Sequence, residues 1–335
     1  MKRRVVLLAW AGGGLVPPVR AAEAELRGAG ATFPAPVYAR WMQDYRRATG
    51  IAVSYDPVGS GAGIEALAQG RADFGATDVP LAPAELQRLG ALQFPTVIGG
   101  VVPVVKLPGI DAGRLRLTGA LLADIYLGRV TQWNAPAIAS LNPGLPLPSS
   151  HITVIHRAEA SGTTALWSDF LSRASVPWRA RMGSGQRLDW PSGPSFVAAT
   201  GNEGVASAVQ RTWASIGYVE ASFAARHHLA TAALRNRDGE FVRATRPAFE
   251  AAAAQARWRD ETDLVQSLMD LPGSNTWPLV SASHAVVPWQ PAARARELLR
   301  FFDWALGQGQ AAAELGYLPL PEAAVQLVRR QWAER

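Results

Sequence analysis

The chain has 335 residues, 48% of them apolar and 18% charged, and no cysteine. At ~150 residues per domain this length suits two domains with their own cores, and the composition excludes a disordered or disulfide-stapled chain. The formal charge of +6 rests largely on the N-terminus, where Lys2, Arg3 and Arg4 precede an apolar run from Val5 to Val16 and the small residues Ala21, Ala22 and Ala24.

That pattern predicts a secretory signal peptide over residues 1–22. Its apolar run is too short and Gly-rich for a permanent anchor, and no later stretch reaches the ~20 residues of a bilayer span. Cleavage removes Lys2, Arg3, Arg4 and Arg20, four of 33 basic residues against 27 acidic ones, so the net charge falls from +6 to +2. The remaining arginine pairs, Arg46-Arg47 and Arg329-Arg330, form no basic run with interleaved aromatics, and nucleic acid is not an expected partner. An exported chain without cysteine has no disulfide, no cysteine metal site and no lipoprotein acylation site, which predicts a free periplasmic protein.

After Pro36, residues Val37, Trp41, Tyr45 and Ala48 fall at helical spacing, and Gly50 stands where a helix ends. Ile51, Val53 and Tyr55 alternate as a strand. "GSGAGIEALAQG" is a Gly-rich turn into a short helix, and "RADFGATDVPL" reads as a strand ending at Thr77-Asp78. The β-branched run from Phe94 to Val105 predicts a buried parallel strand, long enough to cross between domains. Helices are expected at Thr118 to Leu127, Ser161 to Arg173 and near Gly204 to Arg211, with strands at Ile152 to Ile155 and Ile216 to Val219. A strand near Ser283 to Val287 and helices at Ala292 to Leu306 and Glu322 to Trp332 complete the chain. The alternation predicts an α/β fold with mostly parallel sheets flanked by helices. Trp41, Trp133, Trp167 and Trp304 are expected in the core.

Three segments share one design, a turn of small or hydroxylated residues opening into a helix: "GAGATFPAPVY" (Gly28 to Tyr38), "GSGAGIEAL" (Gly59 to Leu67) and "SGTTALW" (Ser161 to Trp167). A helix start leaves backbone N–H groups unpaired and carries about half a positive charge, so three that converge supply about +1.5 toward an anion. The hydroxyls of Thr32, Ser60, Ser161 and Thr163 add uncharged donors, and Arg157 adds a planar cationic fork suited to a tetrahedral oxyanion. Ser and Thr are also ordinary helix caps, and spacing alone does not bring the turns together.

A resemblance supplies that convergence. "GAGATFPAPVYARW", "DFGATDVPL", "FPTVIGGVVPVV", "DIYLGRVTQWNAPAIASLNPGLPLP", "SGTT", "GNEGVASAVQ", "IGYVE" and "FFDWAL" together resemble the periplasmic phosphate-binding proteins of high-affinity phosphate ABC importers, in order from Glu25 to Trp332. The resemblance implies a two-lobed periplasmic-binding-protein fold of type II. Lobe I is residues 23–99 plus 279–335, lobe II is residues 100–278, and the lobes are hinged near Ile98 to Val101 and Trp277 to Ser281. It implies one phosphate ion bound without metal or cofactor and delivered to membrane permease subunits by a monomeric carrier. Thr32 and Phe33 match main-chain donors, Ser60 a backbone and side-chain donor, Asp78 the acceptor, Arg157 the cation, and Ser161, Gly162 and Thr163 the helix-start donors of lobe II. A carboxylate at Asp78 accepts a bond from phosphate, which keeps a proton at neutral pH, and meets only lone pairs on sulfate. Glu159 and Ala160 stand where the family commonly has Asp and Gly, and an alanine at 160 is strained if that backbone takes φ > 0.

Two other readings compete. A secreted phosphatase or serine hydrolase could use Ser161, but the chain lacks Gly-x-Ser-x-Gly and Gly-x4-Gly-Lys-Ser/Thr, and His151, His156, His227, His228 and His284 show no i, i+4 zinc pair. His156 adjoins Arg157, yet neighbours along a strand face opposite sides. A binding protein for sulfate, molybdate or arsenate is the other; Asp78 argues against sulfate, while arsenate shares the protonation pattern of phosphate.

Overall fold

A computed structural model describes residues 25–334; the expected signal peptide lies outside them. One large sheet runs in the order β2 (Val53–Asp56), β1 (Leu26–Gly30), β3 (Phe74–Thr77), β12 (Val280–Pro288), β4 (Ala91–Lys106), β8 (Ser215–Glu220), β6 (Thr153–Arg157) and β7 (Phe196–Ala199), with β9 (Ala230–Thr231) also beside β4. A small sheet orders β11 (Phe241–Val242), β10 (Ala233–Arg235) and β5 (Arg116–Leu117). Helices fill the connections, giving a mixed α/β, two-lobed molecule. Among the described residues, no helix is long and apolar enough to cross a membrane.

The two wings of the large sheet are parallel: β1 pairs with β2 and β3, and β6 pairs with β7 and β8. The centre is not. The strand expected to be parallel over Phe94 to Val105 is antiparallel to β12, β8 and β9. A continuous apolar run reports burial on both faces, and β4 has this burial from Ala91 to Val105, but it carries no information on strand direction. Direction here follows from the chain returning through β12. From Ala91 to Gly100 the strand pairs with β12; from Val101 to Lys106 it pairs with β8. One strand therefore links the two halves of the sheet. Trp277 Nε1 donates to the Val101 carbonyl at 3.0 Å, and Val101 N to the Leu279 carbonyl at 2.8 Å, so the segment that leads into β12 lies beside the middle of β4.

Local chemistry explains the helix starts. The helix Ala35–Thr49 begins with proline in its first turn and ends at Gly50, whose φ of 81° is left-handed. Ser60–Ala68 follows Gly59, whose φ is also positive at 95°. In Gly162–Ala174 the Ser161 hydroxyl caps the helix by accepting from Thr164 N at 3.2 Å. Gly201–Arg211 begins three residues before the expected Gly204, because Thr200 already leads into the first turn. That shift matters for the site, since it puts Asn202 at a helix start. Trp41, Trp133 and Trp167 are buried as expected, and Trp304 packs partly buried against the core.

Candidate anion site between the lobes

Every strand that leads to the site ends there. Thr32 and Phe33 follow β1, Asp78 follows β3 and Arg157 closes β6, while Ser60, Ser161, Gly162 and Thr163 sit at the starts of the helices that follow β2 and β6. All eight residues expected from the sequence are buried at this junction. The contacts span the cleft. A Cβ on Gly162 would stand 2.6 Å from Ser60 Oγ and 2.7 Å from Asp78 Cβ, and a Cβ on Gly61 would stand 2.7 Å from Ala160 Cβ. Glycine at these positions lets the two helix starts meet.

Hydrogen-bond inventory fixes what the hydroxyls can do. Ser60 Oγ accepts from Gly162 N at 3.1 Å and from Asp78 N at 3.4 Å. Thr32 Oγ1 accepts from Asn202 Nδ2 at 2.8 Å and from Asn202 N at 3.2 Å. With both lone pairs of each hydroxyl engaged, its hydrogen is left for a further acceptor. Thr163 Oγ1 lies 3.4 Å from Asn202 Nδ2 and 3.5 Å from Asp78 Oδ2, where it donates to the carboxylate. Ser161 Oγ accepts from Thr164 N, which leaves its hydrogen for another acceptor, and Gly162 N donates to Ser60 Oγ. The Phe33 ring is buried against Gly99, and the Phe33 carbonyl accepts from Tyr317 OH at 2.7 Å.

Arg157 is 2% exposed. Its Nε donates to Glu159 Oε1 at 2.8 Å, Nη2 bonds the same oxygen, and Gly201 N adds a third donor to it at 3.1 Å. Glu159 thus grips one edge of the fork despite its extra methylene. Nη1 is buried and has no protein partner. Ala160 is not among the residues with positive φ, so the strain conditionally expected there does not arise.

Asp78 is 1% exposed, with Oδ1 accepting from Ser283 Oγ at 2.9 Å. Burial pushes its carboxyl up to about 7, opposed by the Ser283 bond, the Arg157 charge and the Thr163 hydroxyl. The site therefore joins one cation, several donor-only groups and one carboxyl poised to change protonation near neutrality. That combination accepts an oxyanion which itself carries a proton.

His156 does not face Ser161. Its Nδ1 lies 3.1 Å from the Arg157 carbonyl, its ring stacks on Trp190 at 4.8 Å, and burial lowers its pKa. With Arg157, Glu159 and Trp190 it lines a cavity of about 520 Å³. Among the described residues, no group of three or more His, Asp or Glu could hold a metal ion.

Comparison with known proteins identifies the family. The model of the PBP superfamily domain matches residues 16–308. The phosphate-binding protein PstS of Pasteurella multocida is 44% identical over 92% of this chain and 89% of its own length. The chain belongs to the PstS family of phosphate-binding proteins. The PstS of Haemophilus influenzae is 42% identical over 92% of both chains. A solved phosphate-binding protein from Stenotrophomonas maltophilia shares the fold, with a TM-score of 0.68 at 20% identity over 91% of this chain and 93% of that one.

Within this PstS frame the sequence reading missed two residues. Asn202 bridges Thr32, Thr163 and the Glu220 amide, which donates to Asn202 Oδ1 at 2.9 Å. Ser283 orients Asp78. The "GNEG" run was the available signal for Asn202; nothing local marks Ser283, whose partner lies 205 residues away.

Proposed function

We propose that this PstS protein captures inorganic phosphate in the periplasm and delivers it to the permease of an ABC importer, as a monomeric binding protein and not an enzyme. The observation that carries this reading is the buried Arg157 Nη1, without a protein partner, together with Thr32 and Ser60 hydroxyls whose lone pairs are already engaged. These groups can only donate. Their ligand is an anion.

In this reading residues 1–22 direct export, lobe I comprises 23–99 and 279–335, and lobe II comprises 100–278. The change of partner strand between Gly100 and Val101 supports that boundary. Phosphate docks first on lobe I, through the backbone of Thr32 and Phe33 and the hydroxyls of Thr32 and Ser60. Closure then brings Arg157 and the Ser161–Thr163 helix start of lobe II onto the remaining oxygens. Asp78 accepts the proton that phosphate keeps and sulfate lacks. At ~1.5 to 3 kcal/mol for each charge-assisted bond, about ten shared bonds exceed the ~8 kcal/mol of micromolar binding even after the costs of ordering. Ser161 caps its own helix and His156 is bonded elsewhere, which supports binding over hydrolysis.

Isothermal titration of the mature protein, stripped of ligand by unfolding and refolding, tests the reading at neutral pH. One-to-one binding of phosphate with no response to sulfate is expected. Silence with both anions from a folded protein, or turnover of an aryl phosphate, overturns it.

A further inference from the structure

The Thr32–Phe33 turn is held at both residues, at Thr32 directly by Asn202 of the other lobe and at Phe33 by Tyr317 of its own lobe, whose hydroxyl also meets Ser222 across the cleft. On one side Asn202 gives its main-chain and side-chain N–H groups to Thr32 Oγ1, and its Oδ1 accepts from Glu220 N at 2.9 Å. On the other, Tyr317 OH donates to the Phe33 carbonyl at 2.7 Å and lies 2.9 Å from Ser222 Oγ. Ser222 Oγ bonds Glu220 Oε2, which also accepts from Ser222 N at 2.9 Å. The chain of contacts closes on itself through Thr32, Asn202, Glu220, Ser222, Tyr317 and Phe33. Asn202, Glu220 and Tyr317 are fully buried and Ser222 is 3% exposed.

Hydrogen counting sets the state of this ring. Three contacts, Glu220 to Ser222, Ser222 to Tyr317 and Tyr317 to the Phe33 carbonyl, need three hydrogens. The Ser222 and Tyr317 hydroxyls supply two, and a neutral Glu220 carboxyl supplies the third. Ionised, Glu220 leaves one contact without a hydrogen. Its other oxygen, Oε1, is buried without a partner and faces Gly99, where a Cβ would stand 3.1 Å away. A charge there would have no donor.

We propose that Asn202, Glu220, Ser222 and Tyr317 form an interlobe clasp on the Thr32–Phe33 turn, and that opening of this clasp limits release of the ligand. The proposal rests on the phosphate reading for its ligand, while the clasp itself is a property of the closed fold. Asn202 is a positioning residue: it bonds Thr32 and Thr163 and orients both hydroxyls. Losing the clasp destabilises the closed state but leaves the free donors of the open cleft in place. Its loss therefore acts on dissociation, as most changes to an existing interface do.

Stopped-flow tryptophan fluorescence of the full mature protein with inorganic phosphate tests this on Asn202→Ala and Tyr317→Phe. The second variant keeps the ring that packs against Phe33 and deletes only the hydroxyl. Both are expected to release phosphate about tenfold faster, with association changed by less than about twofold in Tyr317→Phe, while Asn202→Ala also slows association because it loosens the Thr32 hydroxyl. Thermal melts identify any variant that fails to fold. Release at the parental rate from folded Asn202→Ala and Tyr317→Phe overturns the clasp. If the parent does not bind phosphate, the phosphate reading falls, and small-angle scattering of the protein alone decides the clasp. A larger radius of gyration for Asn202→Ala than for the parent then supports it, and equal radii overturn it.

Discussion

Ser283 Oγ donates to Asp78 Oδ1 across 2.9 Å, from a strand that joins the sheet 205 residues later in the chain. The bond holds one carboxylate oxygen and leaves the other, Oδ2, toward Thr163 and the cleft. An acceptor fixed in this way reads whether the ligand carries a proton. Asp78→Asn replaces that acceptor by a group that can also donate, so preference for phosphate over sulfate should fall by at least about tenfold in parallel titrations. Unchanged selectivity would mean that another group reads the proton.

Arg157 and Glu159 are separable. Arg157→Ala removes the buried cation and should weaken phosphate binding by at least about tenfold. Glu159→Ala leaves Nε, Nη2 and Gly201 N without their shared acceptor and should cost a similar factor through a misdirected fork. Glu159→Gln keeps an oxygen in that position and should stay within about threefold of the parent. Calorimetry on the three variants checks the order, and equal losses for Gln and Ala would show that charge, not aim, is the contribution of Glu159.

Gly162→Ala is a steric test of closure. Its Cβ would meet Ser60 Oγ at 2.6 Å and Asp78 Oδ2 at 2.8 Å, both across the cleft. Phosphate affinity should fall by about a hundredfold while the ligand-free melting temperature stays within about 2 °C. A large drop in melting temperature would place the clash inside a lobe instead.

Glu220 makes a pH prediction of definite sign. Burial lifts its carboxyl from 4.5 to about 8, with Asp78 adding to the shift and Ser222 and Tyr317 opposing it. Between those values the folded chain keeps a proton that the unfolded chain has lost, so stability is full below the lower value and declines as pH rises through the upper. Melting of the ligand-free parent should therefore drop between about pH 5 and about pH 9, and less so in Glu220→Gln, which retains a donor for Ser222. Parallel curves for the two proteins would show that Glu220 is ionised in the fold. Asp78, raised to about 7 by burial, adds a slope of the same sign in both.

Much of this architecture was legible in the sequence because its signals are local. Gly50, Pro36 and the Ser161 cap mark helix ends within a few residues, and the hydroxylated turns announce an anion site once they are known to meet. What stayed hidden depends on partners far along the chain. Asn202 finds Thr32 170 residues away and Ser283 finds Asp78 205 residues away, and neither pairing leaves a periodicity. The direction of β4 was hidden for the same reason, since burial shapes its composition and the return of the chain sets its pairing. Asp78 itself became readable as an acceptor only through family resemblance.

The sixteen residues of β4 pass from β12 to β8 without a break, between the rings of Phe33 and Phe249 that abut Gly99 and Gly100. The lobes are thus joined by a torsion bar and not by a slack tether. Rotation of one lobe against the other must twist this paired backbone, which resists bending more than an unpaired linker does. In the proposed carrier role, the face offered to a permease is set by the joint itself.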